Sequence, residues 1–255
     1  MKINDILNIL ERYAPTTYSN EFVNKFDAYD NVGIIVDTDK DITGVLFTLD
    51  LTVESVKKAI DNNCNLIFTH HPAIYAPIKN ISVDTPIYQA INNSIGVISF
   101  HLNLDVAING IDHYLAEGLG GKDASILSTL EDGIGYGRKF TLNGENFSDV
   151  IDRYKTNFKS NRVIYYGDLT DKINTVATFC GQGLSEKTLE QVKGVDLIVS
   201  SDVQHHVILK ALEMGVKLLI VTHYSSEFYG FSKVYDNLSN NLGVKTYLNM
   251  ENKYL

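Results

Sequence analysis

Nine short apolar runs, rich in β-branched and aromatic residues, alternate with amphipathic stretches along this chain. They are NVGIIV (31–36), GVLFTL (44–49), NLIFT (65–69), GVISF (96–100), RVIYY (162–166), TVATFC (175–180), DLIVS (196–200), KLLIVT (217–222) and VKTYLN (244–249). Helical patterns cover 52–62, 86–92, 107–118, 185–192, 204–214 and 227–240 between them. Strand–helix alternation of this kind specifies an α/β fold with largely parallel sheets. The runs are apolar throughout rather than alternating, as strands covered on both faces require. A stretch rich in Gly, Asp and Ser, from 120 to about 152, reads as a boundary. The expectation is two interlinked α/β lobes. Residues 1–125 form the first, completed by 216–255, and residues 126–215 form the second.

The first residues, MKINDILNILERYAP, carry Ile3, Ile6, Leu7, Leu10 and Tyr13 at helical spacing, with charges interrupting the run. They predict a surface helix ending at Pro15 rather than a signal peptide. No stretch approaches the roughly 20 apolar residues of a membrane span. The net charge is -9, and no Lys/Arg run exceeds two. A broad nucleic-acid-binding face is therefore not expected, because phosphate contacts need clustered cations. The two cysteines, Cys64 and Cys180, lie far apart in apolar stretches and form no CxxC pair. They predict core packing rather than a disulfide or a thiolate zinc site. The expected location is the cytoplasm, without membrane association.

The chemistry concentrates just past the carboxyl ends of three predicted strands. His70 and His71 follow NLIFT, His101 follows GVISF with Asp105 four residues on, and His223 follows KLLIVT with Glu227 four residues on. In open α/β sheets this edge is where ligands bind. The i, i+4 pairs share a helix face. Imidazoles mixed with carboxylates suit zinc, iron or manganese. Two carboxylates can bridge paired ions, which at about 3.5–4 Å separation can hold a water or hydroxide as nucleophile. NLIFTH (65–70) and KLLIVTH (217–223) echo one another, as a duplicated unit or by chance. His205 and His206 are neighbours on a predicted helix and cannot easily clamp one ion, so they are expected at the surface or behind a site. His113 fits a structural helix position. The GQG at 181–183 lacks phosphate-loop spacing and reads as a tight turn. No GxSxG elbow or HExxH helix is present.

Six segments occur in order: DNVGIIVD (30–37), TLDLTVESVKKAI (48–60), THHPAIYAPIK (69–79), HLNLDVAINGIDHYLAEGLG (101–120), GVDLIVSSDVQHH (194–206) and THYSSEFYG (222–230). Together they resemble the NIF-three-like family, whose bacterial members are often labelled GTP cyclohydrolase I type 2 homologs. The resemblance runs over nearly the whole chain. It implies an α/β protein assembled as a ring-shaped homohexamer, with two divalent metal ions per chain in a site facing the interior. It implies ligation by His70, His71, Asp105, His223 and Glu227, all of them among the strand-end residues. The site would lie at strand carboxyl ends between the lobes. His101 matches a family histidine near the site and is expected to contact substrate or tune the metals. The chain departs from many members at Ser200-Ser201, where they carry Thr-Gly before the acid kept here as Asp202.

The function this resemblance implies is a dinuclear metal-dependent hydrolase. The label suggests ring-opening of a purine nucleotide such as GTP through a metal-bound hydroxide. The alternative is a non-enzymatic metal-binding, regulatory or scaffold protein built on the same ligands. A purely structural metal is the weakest reading, because five ligands including two carboxylates are too oxygen-rich for it.

Overall fold

A computed structural model gives the architecture over residues 1–130 and 133–251. In chain order the elements are α1 (Ile3–Tyr13), α2 (Thr16–Phe26), β1 (Gly33–Val36), β2 (Gly44–Thr48), α3 (Val53–Asp61), β3 (Leu66–Thr69), α4 (Pro86–Asn92), β4 (Gly96–Ser99), α5 (Leu102–Val106) and α6 (Ile111–Gly118). They continue with β5 (Ser125–Thr129), β6 (Gly135–Asn146), α7 (Phe147–Phe158), β7 (Val163–Tyr166), β8 (Lys172–Thr178), α8 (Glu186–Leu189), β9 (Leu197–Ser201), α9 (His205–Glu213), β10 (Lys217–Val221), α10 (His223–Leu238) and β11 (Lys245–Leu248). The fold is mixed α/β with two sheets. Among the described residues, no helix is long and apolar enough to cross a membrane.

Two compact units divide the chain: Met1–Ala107 with Ser232–Met250, and Ile108–Phe231 with the last residues from Glu251. The sequence reading placed these boundaries at 125/126 and 215/216. The difference has a plain cause. Strand β10 pairs with β9 in parallel and with β7 in antiparallel, so it belongs to the second sheet. The crossing back to the first unit falls inside α10 instead.

In the first unit the sheet order is β1-β4-β3-β2-β11. Four strands are parallel, and β1 runs antiparallel at the edge beside β4. One face carries Leu46, Ile67 and Val97 against Val56 and Ala59 of α3 and Ala90 of α4. On the other face Phe68 lies between the rings of Phe47 and Phe100, at 5.0 and 5.6 Å. Helix α3 starts where Thr52 accepts the Ser55 N–H at 3.0 Å while Ser55 Oγ accepts the Thr52 N–H at 2.8 Å. That reciprocal cap satisfies two otherwise orphaned donors.

The second sheet runs β5-β6-β8-β9-β10-β7, with β8, β9 and β10 parallel and the rest antiparallel. Its β5–β6 hairpin and α7 occupy much of the stretch that sequence alone read as a boundary. Arg138 of β6 and Asp112 of α6 form a buried ion pair at 2.9 Å. The same Nη1 of Arg138 donates to the carbonyls of Gly135 (2.8 Å) and Gly137 (3.2 Å). Burial pushes the Asp112 carboxyl up to about 6, although the Arg138 charge and backbone N–H donors pull the other way. Cys64 and Cys180 are both buried thiols, not joined in a disulfide, and burial raises the Cys64 thiol to about 11.

Candidate metal centre

The parallel strands β2, β3 and β4 end level with one another: Thr48 pairs with Thr69, and Thr69 with Ser99. The chain beyond them therefore emerges along one edge. His70 and His71 leave β3, His101 leaves β4 one residue after Phe100, and Asp105 follows on α5. The turn after β3 is held from both sides. Thr69 Oγ1 donates to the His71 carbonyl at 2.8 Å, and the His71 N–H donates to the Leu49 carbonyl at 2.9 Å. The donor atoms of His70, His101 and Asp105 all lie within 4.8 Å of one another, and His70 and Asp105 are buried. His71 stands beside this group, with ring centroids 4.9 Å from His70 and 5.9 Å from His101.

In the second unit, β10 ends at Val221 and Thr222 caps α10 by accepting the Ser225 N–H at 3.2 Å. His223 opens that helix, and Glu227 sits one turn on. His223 Nε2 is 3.0 Å from Glu227 Oε1, and Glu227 is buried.

All four histidines share one further property. His70 Nδ1 meets the Phe100 carbonyl at 3.0 Å, His71 Nδ1 meets Asp50 at 2.7 Å, His101 Nδ1 meets Asp30 at 2.9 Å, and His223 Nδ1 meets Asp202 at 2.6 Å. A carbonyl or an ionised carboxylate only accepts, so each Nδ1 carries the proton. A ring held this way offers, in its neutral form, its Nε2 lone pair. This is how metal-binding histidines are oriented and made more basic. Asp30 is prepared for the task. Burial alone would raise its carboxyl, but the hydrogen bond and charge of His101, with donors from Ser19 and Asn31, outweigh that and hold it below its ordinary value.

The donor set fits a divalent ion. With Nδ1 protonated, His70 Nε2 and Asp105 Oδ1 are two acceptors facing each other at 3.5 Å, and His223 Nε2 and Glu227 Oε1 face at 3.0 Å. Two donors each about 2.0–2.2 Å from a zinc-type ion, at roughly tetrahedral to right angles, stand about 3.0–3.5 Å apart. A cation between them relieves the repulsion of two electron-rich atoms.

Asp30 and Asp50 have no role in the sequence reading, and Asp202 entered it only as an acid retained. Asp50 and Asp202 share the signal of the candidate residues, since each lies just past a strand parallel to the one that carries His70 and His71 or His223. His113 pairs with Glu117 at 3.8 Å on α6, consistent with a structural place. His205 and His206 are exposed at the start of α9, with His206 3.9 Å from Glu186.

The model of the family described as Duf34/NIF3 (NGG1p interacting factor 3) matches residues 1–253. The chain belongs to the Duf34/NIF3 family. A GTP cyclohydrolase 1 type 2 homolog of Clostridium perfringens is 33% identical, covering 95% of this chain and 93% of the relative. One of the same name from Clostridium acetobutylicum is 30% identical over 96% and 94%. Among solved structures, the Staphylococcus aureus hypothetical protein SA1388 superposes with a TM-score of 0.85 at 25% identity, covering 99% and 97% of the two chains. Reduced HcgD from Methanocaldococcus jannaschii gives 0.79 at 29% identity, covering 97% of each. This Duf34/NIF3 chain thus shares its fold with these two structures over 97% or more of its length.

Proposed function

We propose that this Duf34/NIF3 protein is a metal-dependent hydrolase. His70, His71, Asp105, His223 and Glu227 hold two divalent ions, which are zinc, iron or manganese. The observation that carries the reading is the fixing of Nδ1 on all four strand-end histidines, which turns each Nε2 toward ligation. Such ions supply Lewis acidity and lower the pKa of water. The chain's own contribution is orientation. Asp50 and Asp202 hold the imidazoles of His71 and His223, and His101, backed by Asp30, contacts the substrate beside the ions. His71 and His223 keep about a quarter and a third of their side-chain surface exposed, so substrate can reach them, unlike a closed structural site.

The name carried by the clostridial relatives points to a purine nucleotide, opened hydrolytically at its imidazole ring. The protein acts in the cytoplasm, where its two buried thiols stay reduced. It assembles as a homohexamer, which light scattering would read as six times the mass of one chain.

Elemental analysis of protein purified without added metal tests the site, alongside His70→Ala, Glu227→Ala and His113→Ala. About two ions per chain are expected in the wild type, with loss in the first two variants and none in the third. Incubation with GTP, followed by chromatography of the nucleotide, tests the reaction. Metal without turnover of any nucleotide makes the chain a non-enzymatic metal-binding protein. Protein that holds no metal and takes up none on reconstitution overturns the whole reading.

A further inference from the structure

The turn between β8 and α8 carries no ligand, yet it forms a wall against the ligand pair of the second unit. Gly181 has a left-handed backbone with φ +54. A Cβ placed on it would overlap the Glu227 carboxylate and stand 3.3 Å from His223 Nε2. Few side chains fit such a backbone, and a Cβ fits that space only if the Glu227 carboxylate moves.

The turn is also clamped more heavily than a connecting loop requires. The Gly181 N–H donates to Ser226 Oγ at 3.1 Å, and Ser226 Oγ in turn donates to the His223 carbonyl at 2.8 Å. The Gly181 carbonyl accepts from Ser201 Oγ at 2.7 Å and from Ser200 Oγ at 3.3 Å. The preceding Cys180 N–H donates to the buried Asp112 carboxylate at 3.3 Å. Ser200 and Ser201 are the last two residues of β9. Here their hydroxyls grip the turn.

We propose that Gly181 is a positioning residue. Clamped by Ser200, Ser201, Ser226 and Asp112, its bare backbone sets where the Glu227 carboxylate stands relative to His223, and so sets metal affinity. The inference rests on Glu227 being a ligand. The carboxylate is the far end of a flexible side chain, so an added methyl displaces it without breaking the fold.

The test is Mn2+ affinity, measured by competition with a chelator, on Gly181→Ala beside Gly194→Ala and Gly215→Ala. Those two glycines are also left-handed, with φ +65 and +76, but nothing lies within 4 Å of an added Cβ. All three variants share the backbone strain, and only the first meets a ligand. Gly181→Ala should bind about ten- to a hundred-fold more weakly, the range for residues that orient metal ligands. The two controls should stay within about twofold of wild type. Ser201→Ala, which loosens the clamp and adds no atom, should weaken binding severalfold and serves if Gly181→Ala does not fold. Affinity in Gly181→Ala equal to the controls overturns the inference, as does unchanged affinity in Ser201→Ala. Glu227→Ala separates the two levels. If it loses metal while Gly181→Ala and Ser201→Ala do not, only the positioning role falls. If Glu227→Ala binds like wild type, the ligand assignment falls and takes this inference with it.

Discussion

Replacing Arg138 by Met keeps most of the side-chain length and removes the charge, in a place where the consequences can be worked out. Arg138 and Asp112 are 3% and 0% exposed. Removing the guanidinium leaves a buried carboxylate without its counter-charge and takes one donor from two glycine carbonyls. Breaking a buried pair from one side costs about 3–5 kcal/mol. The loss should also depend on pH. In the wild type the folded Asp112 titrates near 6, above the ordinary carboxyl value of 3.8. Its favourable contribution is fully present below about pH 4 and lost as pH rises through about 6; above about pH 7 it no longer changes. In Arg138→Met the charge that lowered this carboxyl is gone, so its folded value moves further up. The variant must therefore go on losing stability above about pH 7, by up to about 1.4 kcal/mol for each pH unit, where the wild type does not. Urea unfolding at pH 5.5 and pH 8 reads this directly, with the larger deficit expected at pH 8. The double variant Arg138→Met/Asp112→Asn should recover much of the loss at pH 8, because the new side-chain amide carries no charge and its carbonyl can still accept the Cys180 N–H. Equal deficits at both pH values, or a double variant no better than the single, would refute the argument.

Asp50→Asn and Asp202→Asn should each lower metal affinity about ten- to a hundred-fold while leaving the fold intact, as chelator competition and circular dichroism would show; tenfold is the least that supports an orienting role. Asp30→Asn should do less to metal affinity than Asp50→Asn but should weaken nucleotide binding, measured by calorimetry, if His101 faces the substrate. Phe68→Ala removes the central ring of three and should cost about 3–5 kcal/mol in urea unfolding. A loss below about 1.5 kcal/mol would mean the rings of Phe47 and Phe100 close over the gap.

The candidate residues His70, His71, Asp105, His223 and Glu227 could be picked out of the sequence because a strand's end announces itself. NLIFT, GVISF and KLLIVT are apolar to their last residues, and the first polar groups after them have only the sheet edge to occupy. The same reasoning reaches Asp50, two residues past Thr48, and Asp202, one past Ser201, once β2 and β9 are known to lie beside β3 and β10. Neighbour relations of that kind are tertiary and leave no mark in a single sequence. The stretch 120–152 was misleading for a local reason. Strand β6 carries Gly135, Gly137 and Gly144, all usual signs of a turn. A Cβ at Gly135 would collide with the backbone of Ser128 and Thr129 on β5, so that glycine is needed for close strand approach and not for a turn.

Asp30 shows why direction decides what can be read. It lies before its strand, where strand-end reasoning never looks. Yet β1 runs antiparallel to β4, with Gly33 opposite Ser99, so the residues entering β1 meet those leaving β4. That one reversal brings Asp30 to His101, where its two oxygens take the His101 Nδ1–H, the Leu102 N–H, the Ser19 hydroxyl and the Asn31 N–H. A carboxylate with so many donors is fixed in place, and the imidazole it holds is fixed with it. An antiparallel edge strand beside a parallel sheet therefore adds a second source of polar residues to the ligand edge: those before its first residue. Searching there for an acid, whenever a histidine follows the neighbouring strand, turns a tertiary relation into a rule that a sequence can be checked against.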